Sequence, residues 1–349
     1  VRSRREFLLG VTALALVPAR LRAQPTRTVT DDVGRRAEVP VKVARVYAAG
    51  PPASILVFAL APEKLLGWTS PFRADERPFV PARYADLPTL GRLTGRGNTA
   101  NVEVVLAARP DLIVDYGSVR PTLASLADRV QTQTRIPYLL LDGAFDRMPQ
   151  SLRKLGEILA EPERGEAWAR YAEGILDDIA VRVKRVPLER RPRVYYGRGP
   201  RGLDTGLAGS INMESIERIG ATNVAAALGQ GGLVRVSVEQ VLAWNPDAIV
   251  TIDRNFYASV WHDPLWQGLA AVRSGRVFLS PNVPFGWIDF PPSVNRLLGL
   301  RWLARTLYPD LFPEDLRPFV RDFYTRAYHQ TPTPEQLDAL VRTAEPRRG

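Results

Sequence analysis

The sequence predicts an α/β protein made of two doubly wound α/β lobes joined by one long α-helix, and three observations predict it. Residues 102–116 and 238–252 are identical at nine of fifteen positions without a gap. Each copy reads as a capped helix running into a buried strand, which is half of a βαβ unit. Arg45-Val46-Tyr47 and Arg193-Val194-Tyr195 form a second echo, each opening an apolar run ahead of a Gly/Pro-rich turn. Between the copies, residues 163–186 carry Trp168, Tyr171, Ile175, Leu176 and Ile179 at three- and four-residue spacing, the period of a helix with one apolar face.

Within each copy the signals are local. Asn101 and Ser237 suit the N-cap, and Glu103 and Glu239 place a carboxylate in the first turn, where the helix dipole favours it. Pro110 and Pro246 end the helices, and 112–114 and 248–250 are apolar runs of the kind a parallel sheet buries on both faces.

In chain order, Arg4-Arg5 and an apolar stretch to Val17, then Ala23, read as a cleaved, Tat-like export signal over 1–23. Residues 28–40 alternate around Asp31-Asp32-Val33-Gly34-Arg35 and predict a hairpin. The first lobe spans 28–146, with strands at 43–48 and 65–68, a helix at 54–60, the first repeat unit, a helix near 123–130 and a strand at 138–141. Bridging helices fill 147–186. The second lobe spans 192–310, with a strand at 194–196, a glycine-rich loop at 197–202, a helix at 213–220, the second repeat unit, a strand at 277–280 and a helix at 293–307. Residues 311–349 predict helices packed outside that lobe.

A chain of 349 residues, 45% hydrophobic and 24% charged, is that of a soluble globular protein able to bury two cores. The net charge of +10 falls to +6 without the first 23 residues, and no Lys/Arg block with interleaved aromatics remains, so nucleic acid is not the expected partner. With no cysteine there is no lipobox, disulfide framework or thiolate chemistry, and the expectation is a soluble, monomeric periplasmic protein. Only His262 and His329 are available as imidazole ligands, in no ligand-like pair, so a resident metal or cofactor is not expected. His262, in Trp261-His262-Asp263, is the candidate for a single axial ligand. No Gly-x-Ser-x-Gly, His-Glu-x-x-His or Walker loop occurs, which argues against an enzyme.

With the repeated unit, the bridging helix and Trp287-Ile-Asp-Phe-Pro-Pro-Ser-Val-Asn-Arg296 in view, the chain resembles the periplasmic binding proteins of iron-siderophore and vitamin B12 ABC importers over nearly all of 28–310. That resemblance implies a ligand held between stiffly joined lobes and delivered to an ABC permease in the inner membrane. It implies that Glu103 and Glu239 dock onto permease arginines. It places ligand contacts on loops at strand ends, including Pro51, Ser54, Trp68, Arg73, Tyr116, Tyr196, Arg198, Arg201, Tyr257 and Trp287. The arginines suit a carboxylate, phosphate or oxyanion, and the aromatic residues a flat chelator. The expected ligand is an iron-siderophore or similar metal chelate. The alternatives are a molybdate or tungstate oxyanion, a sensory role with the same cleft, and a periplasmic enzyme on the same scaffold.

Overall fold

The structure, a computed structural model, describes residues 24–95 and 97–344. The export-signal reading falls on 1–23, outside the described residues. The chain opens with the expected antiparallel hairpin, β1 (Thr26–Thr30) and β2 (Arg36–Pro40). Its turn is fastened by the Asp31 carboxylate, which accepts the amides of Val33 and Arg35 and pairs with the Arg35 guanidinium at 2.9 Å.

The first lobe contains β3 (Val46–Ala48), α1 (Pro51–Leu60), α2 (Ala82–Ala85), α3 (Val102–Ala108), β4 (Leu112–Gly117), α4 (Pro121–Thr134) and β5 (Tyr138–Asp142). Its sheet is parallel in the order β3-β4-β5. The hairpin docks onto the free edge of β5, where Leu140 and Asp142 amides donate to the carboxylates of Asp31 and Asp32. The strand expected at 65–68 is reduced to two isolated bridges, Leu65 to Val46 and Trp68 to Thr89. The segment changes partner at Gly67, where a Cβ would lie 2.3 Å from the Pro88 carbonyl oxygen.

The beam consists of α5 (Met148–Ile158) and α6 (Pro162–Val183). They cross at Gly156 and Gly165, each so close that its own Cβ would stand under 3 Å from the other's Cα. The 22 residues of α6 span about 33 Å. Trp168, Ile175, Leu176 and Ile179 are buried as the spacing predicts.

The second lobe contains β6 (Arg193–Gly197), β7 (Asp204–Gly206), α7 (Glu214–Arg218), β8 (Thr222–Asn223), β9 (Leu233–Arg235), α8 (Val238–Trp244), β10 (Ala248–Thr251), α9 (Arg254–Ser259), α10 (Ala270–Arg273), β11 (Val277–Leu279) and α11 (Arg296–Leu307). Its main sheet is parallel, β11-β10-β6-β8, with β7 and β9 as a separate antiparallel ribbon.

The last helices, α12 (Leu316–Tyr328) and α13 (Pro334–Ala344), do more than cover the second lobe. While α12 touches α11, it also packs on α1 of the first lobe. Phe319 stacks on Tyr171 of α6, Phe323 meets Trp168 edge-on, and the His329 imidazole bonds the Phe58 carbonyl at 2.8 Å. Length alone suggests two cores. The buried apolar side chains instead form one continuous cluster through both lobes and the beam, with a satellite cluster in each lobe. The aromatic face of α12 is one reason, because it joins surfaces that would otherwise end each core.

Candidate ligand cleft between the two lobes

The carboxyl ends of β4 and β5 meet the second lobe directly. A Cβ on Gly143 would lie 2.8 Å from the Gly117 Cα within the first lobe and 3.3 Å from Ile211 Cδ1 of the second, so the lobes are in close contact here. At the same seam the Arg296 side chain is fully buried. Its guanidinium donates to the Ile211 carbonyl at 3.2 Å, to Glu214 Oε2 at 2.6 Å and to the Gly143 carbonyl, and it lies 4.1 Å from the centre of the Phe145 ring. The other Glu214 oxygen accepts the Phe145 amide at 2.8 Å. One charge pair thus holds both lobes, and removing Glu214 would leave the fully buried Arg296 guanidinium without its counter-charge.

A second node lies at the carboxyl end of β6. The Asp289 carboxylate is fully buried and takes four donors: the Tyr196 hydroxyl (2.9 Å), Arg198 Nη2 (3.1 Å), Asn212 Nδ2 (2.8 Å) and the Phe290 amide (2.7 Å). Burial pushes the Tyr196 phenol well above its ordinary range, so it stays a donor. Asn212 follows Ile211, which places this node beside the Gly117–Gly143 seam. Three buried donors along these walls, Tyr116 Oη, Arg198 Nε and Arg296 Nε, have no protein hydrogen-bond partner. An unsatisfied buried donor costs about 1–3 kcal/mol, which a group rich in acceptors relieves.

Of the residues picked out in the sequence, Tyr116, Tyr196 and Arg198 are brought to the seam. Burial raises the Tyr116 phenol as well, keeping its hydroxyl protonated. Pro51 is half-buried at the start of α1, where the Pro52 carbonyl accepts the Ser293 hydroxyl at 2.7 Å across the lobes. Ser54 turns inward to bond the Pro51 carbonyl. Trp68 and Trp287, expected to stack on ligand, are core residues here. The Trp68 indole donates to the Tyr84 carbonyl at 2.7 Å among Phe58, Phe72 and Phe285, and fully buried Trp287 donates to the Tyr324 hydroxyl of α12 at 3.2 Å. Arg73 is exposed and paired with Asp75 and Glu76. Arg201 is exposed on the glycine-rich loop, Tyr257 half-buried against Trp261, and His262 exposed. No group of three or more His, Cys, Asp or Glu arranged to hold a metal occurs among the described residues.

Glu103 and Glu239 are both exposed in the first turns of α3 and α8. The Glu239 carboxyl is held below its ordinary value by its own backbone amide and the Ser237 hydroxyl. Asp289 falls in the loop 285–289 that the resemblance places at the ligand, and Arg296 closes the stretch that carries the resemblance, but neither is given a role from sequence, and Asn212 and Glu214 carry no sequence signal.

Beneath the start of α1, Asp115 is buried in the first lobe. It accepts the Thr94 hydroxyl at 3.1 Å, the Tyr138 hydroxyl at 3.2 Å and the Tyr116 amide at 3.0 Å. Burial outweighs these bonds and lifts its carboxyl to about 6.

Known proteins share this architecture. A family profile described as periplasmic binding protein matches residues 81–284. The molybdate-binding protein MolA of Haemophilus influenzae is 27% identical over 88% of this chain and 93% of its own length. An uncharacterized ABC transporter substrate-binding lipoprotein of Bacillus subtilis, YvrC, is 27% identical over 61% of this chain and 67% of its own. The solved ABC transporter solute binding protein of Sulfurospirillum deleyianum superposes with a TM-score of 0.83 at 30% identity, covering 90% of this chain and 99% of that one. No helix among the described residues is long and apolar enough to cross a membrane. With its two parallel-sheet lobes, connecting beam and donor-lined seam, the chain belongs to the periplasmic binding protein family of ABC importers.

Proposed function

We propose that this protein captures an anionic metal species in the seam between its lobes, principally a metal bound by an organic chelator of the iron-siderophore kind, and presents it to an ABC permease. The observation that carries this is Arg198, a buried guanidinium at the carboxyl end of β6 whose Nε lacks a partner while its Nη2 is fixed by Asp289. A cation so positioned, with the unpaired Tyr116 hydroxyl elsewhere along the seam, favours a ligand that brings several acceptors. The proline and aromatic character of the surrounding loops adds apolar surface, which suits a chelate. A metal oxyanion is the second reading, and the similarity to molybdate-binding MolA favours it.

Native mass spectrometry of the protein purified from its own periplasm tests the capture reading. A retained metal-containing mass supports it. Ligand-free protein that also gives no calorimetric response to molybdate or to ferric chelates removes it. On the docking side, Glu103 and Glu239 serve as paired contacts to permease arginines, fixing orientation more than adding affinity. Glu103→Ala with Glu239→Ala is expected to abolish uptake in cells while leaving ligand binding intact; uptake at the wild-type rate would remove those carboxylates from the interface.

A further inference from the structure

Asp115 stands near the end of β4, where three segments of the first lobe converge. Its Oδ1 accepts the Thr94 hydroxyl at 3.1 Å and the Tyr116 amide at 3.0 Å, and its Oδ2 accepts the Tyr138 hydroxyl at 3.2 Å. The chain around it is tightly closed. The Ala49 carbonyl accepts the amides of Leu93 and Thr94 at 2.7 and 3.0 Å. A Cβ on Gly50, the residue before α1, would collide with the Thr94 hydroxyl and lie 3.6 Å from Asp115 Oδ1. Two of these segments reach the second lobe. Beyond Gly50, the Pro52 carbonyl accepts the Ser293 hydroxyl. Next to Asp115, the Tyr116 phenol feels the charges of Arg296 and Glu214, and its hydroxyl is buried without a partner.

No cation pairs with the Asp115 carboxylate among the described residues. Tyr47, Ile113 and Tyr138 are in register, and Asp115, two residues on from Ile113, shares their face of the sheet. Burial raises both phenols on that face far beyond the range in which a carboxyl titrates. The rest of the face is packed by Leu93, Val105, Ala127 and Val130. Glu103, Asp128 and Arg129 on α3 and α4 are exposed, Arg92 is bonded to the Gly97 carbonyl, and Arg35 reaches the Tyr138 ring. Two of the three partners of Asp115 are hydroxyls, which can donate or accept, so the network survives in both protonation states and only the charge changes. We infer that Asp115 is a positioning residue for capture: it fixes the first lobe's seam loops, and its protonation sets how strongly an anion is held beyond them. This rests on the capture reading above. An ionised Asp115 repels an anion in the seam, and the neutral acid does not. Burial places the change at about 6, so affinity rises as the pH falls through that value and a proton is taken up with the ligand.

The test is calorimetry on the full chain between pH 5 and pH 8, with sodium molybdate and the ferric complex of 2,3-dihydroxybenzoate as probes. Wild type is expected to hold the probe it binds about tenfold more tightly at pH 5 than at pH 8. Asp115→Asn, neutral throughout, is expected to hold it at both pH values with the affinity wild type shows at pH 5. At pH 6.5, titrations of wild type in two buffers of different ionisation enthalpy are expected to show net proton uptake. A wild-type affinity independent of pH, or a pH slope that Asp115→Asn retains, overturns the inference and leaves the capture reading standing. Should the variant fail to fold, absence of proton uptake by the wild type overturns it in the same way. Binding of neither probe overturns both.

Discussion

The two repeat units can be laid side by side, α3 with β4 and α8 with β10, and they agree at one end and part at the other. At the outer end the agreement extends to single bonds. Asn101 and Ser237 cap their helices through Val104 and Gln240 amides, and Arg109 and Asn245 end them at φ +44° and +43°. Arg45 and Arg193, from the strands alongside, each reach over to the last helix carbonyls, those of Ala108 and Arg109 or Trp244 and Asn245. At the seam end, matching positions hold Asp115 and Thr251. The first is a buried carboxyl bound by three donors, and the second a buried hydroxyl that accepts the Asp253 amide. The helix-to-strand corner is a folding device both lobes need, whereas strand tips meet different surroundings and diverge.

The largest expected effect tests that divergence. An Asp115 pKa of about 6, against the ordinary 3.8, corresponds to roughly 3 kcal/mol. A carboxyl that binds its proton more tightly when folded gives stability that is fully present below 3.8 and lost as the pH climbs through about 6. Asp115→Asn, which mimics the protonated group, is expected to remove this slope, so that its stability relative to wild type rises between pH 4 and pH 8. Urea unfolding across that range measures it; parallel curves for the two proteins would show the site to be indifferent to charge. Thr251→Val should show no such pH dependence.

Smaller effects probe the agreement. Asp111 accepts two backbone amides, of Ala44 and Arg45, where Asp247 has the single Arg193 amide. Asp111→Ala is expected to cost about 1–3 kcal/mol, and Asp247→Ala to fall at the lower end. Equal losses in urea midpoints would mean the second bond contributes nothing. Smallest are the caps: Asn101→Ala and Ser237→Ala should each cost about 1 kcal/mol and match one another. A clear inequality would break the equivalence of the two corners.

This contrast also explains what the sequence made legible. Caps, stops and buried strands are encoded within a few residues of each other, so the repeat, the hairpin turn at Asp31 and the apolar face of α6 were readable directly. Arg296 and Gly143 are 153 positions apart and in different lobes, and Tyr196 and Asp289 are 93 apart within the second lobe, so neither pairing is carried by a local pattern. Trp287 misled for the complementary reason. An aromatic residue in a proline-rich loop suits a cleft, but the fold-back of α12 supplies Tyr324 as its partner. The same fold-back merges what length suggested would be two cores.

The Arg296 pin has a consequence for energetics. Under the capture reading, lobes already joined through Arg296 to Gly143, Ile211 and Glu214 would need little rearrangement to grip a ligand, which limits dilution of affinity by an open population. The same economy works against departure. On that reading, a joint pinned in this way resists opening, so release of cargo would draw on work from the partner transporter.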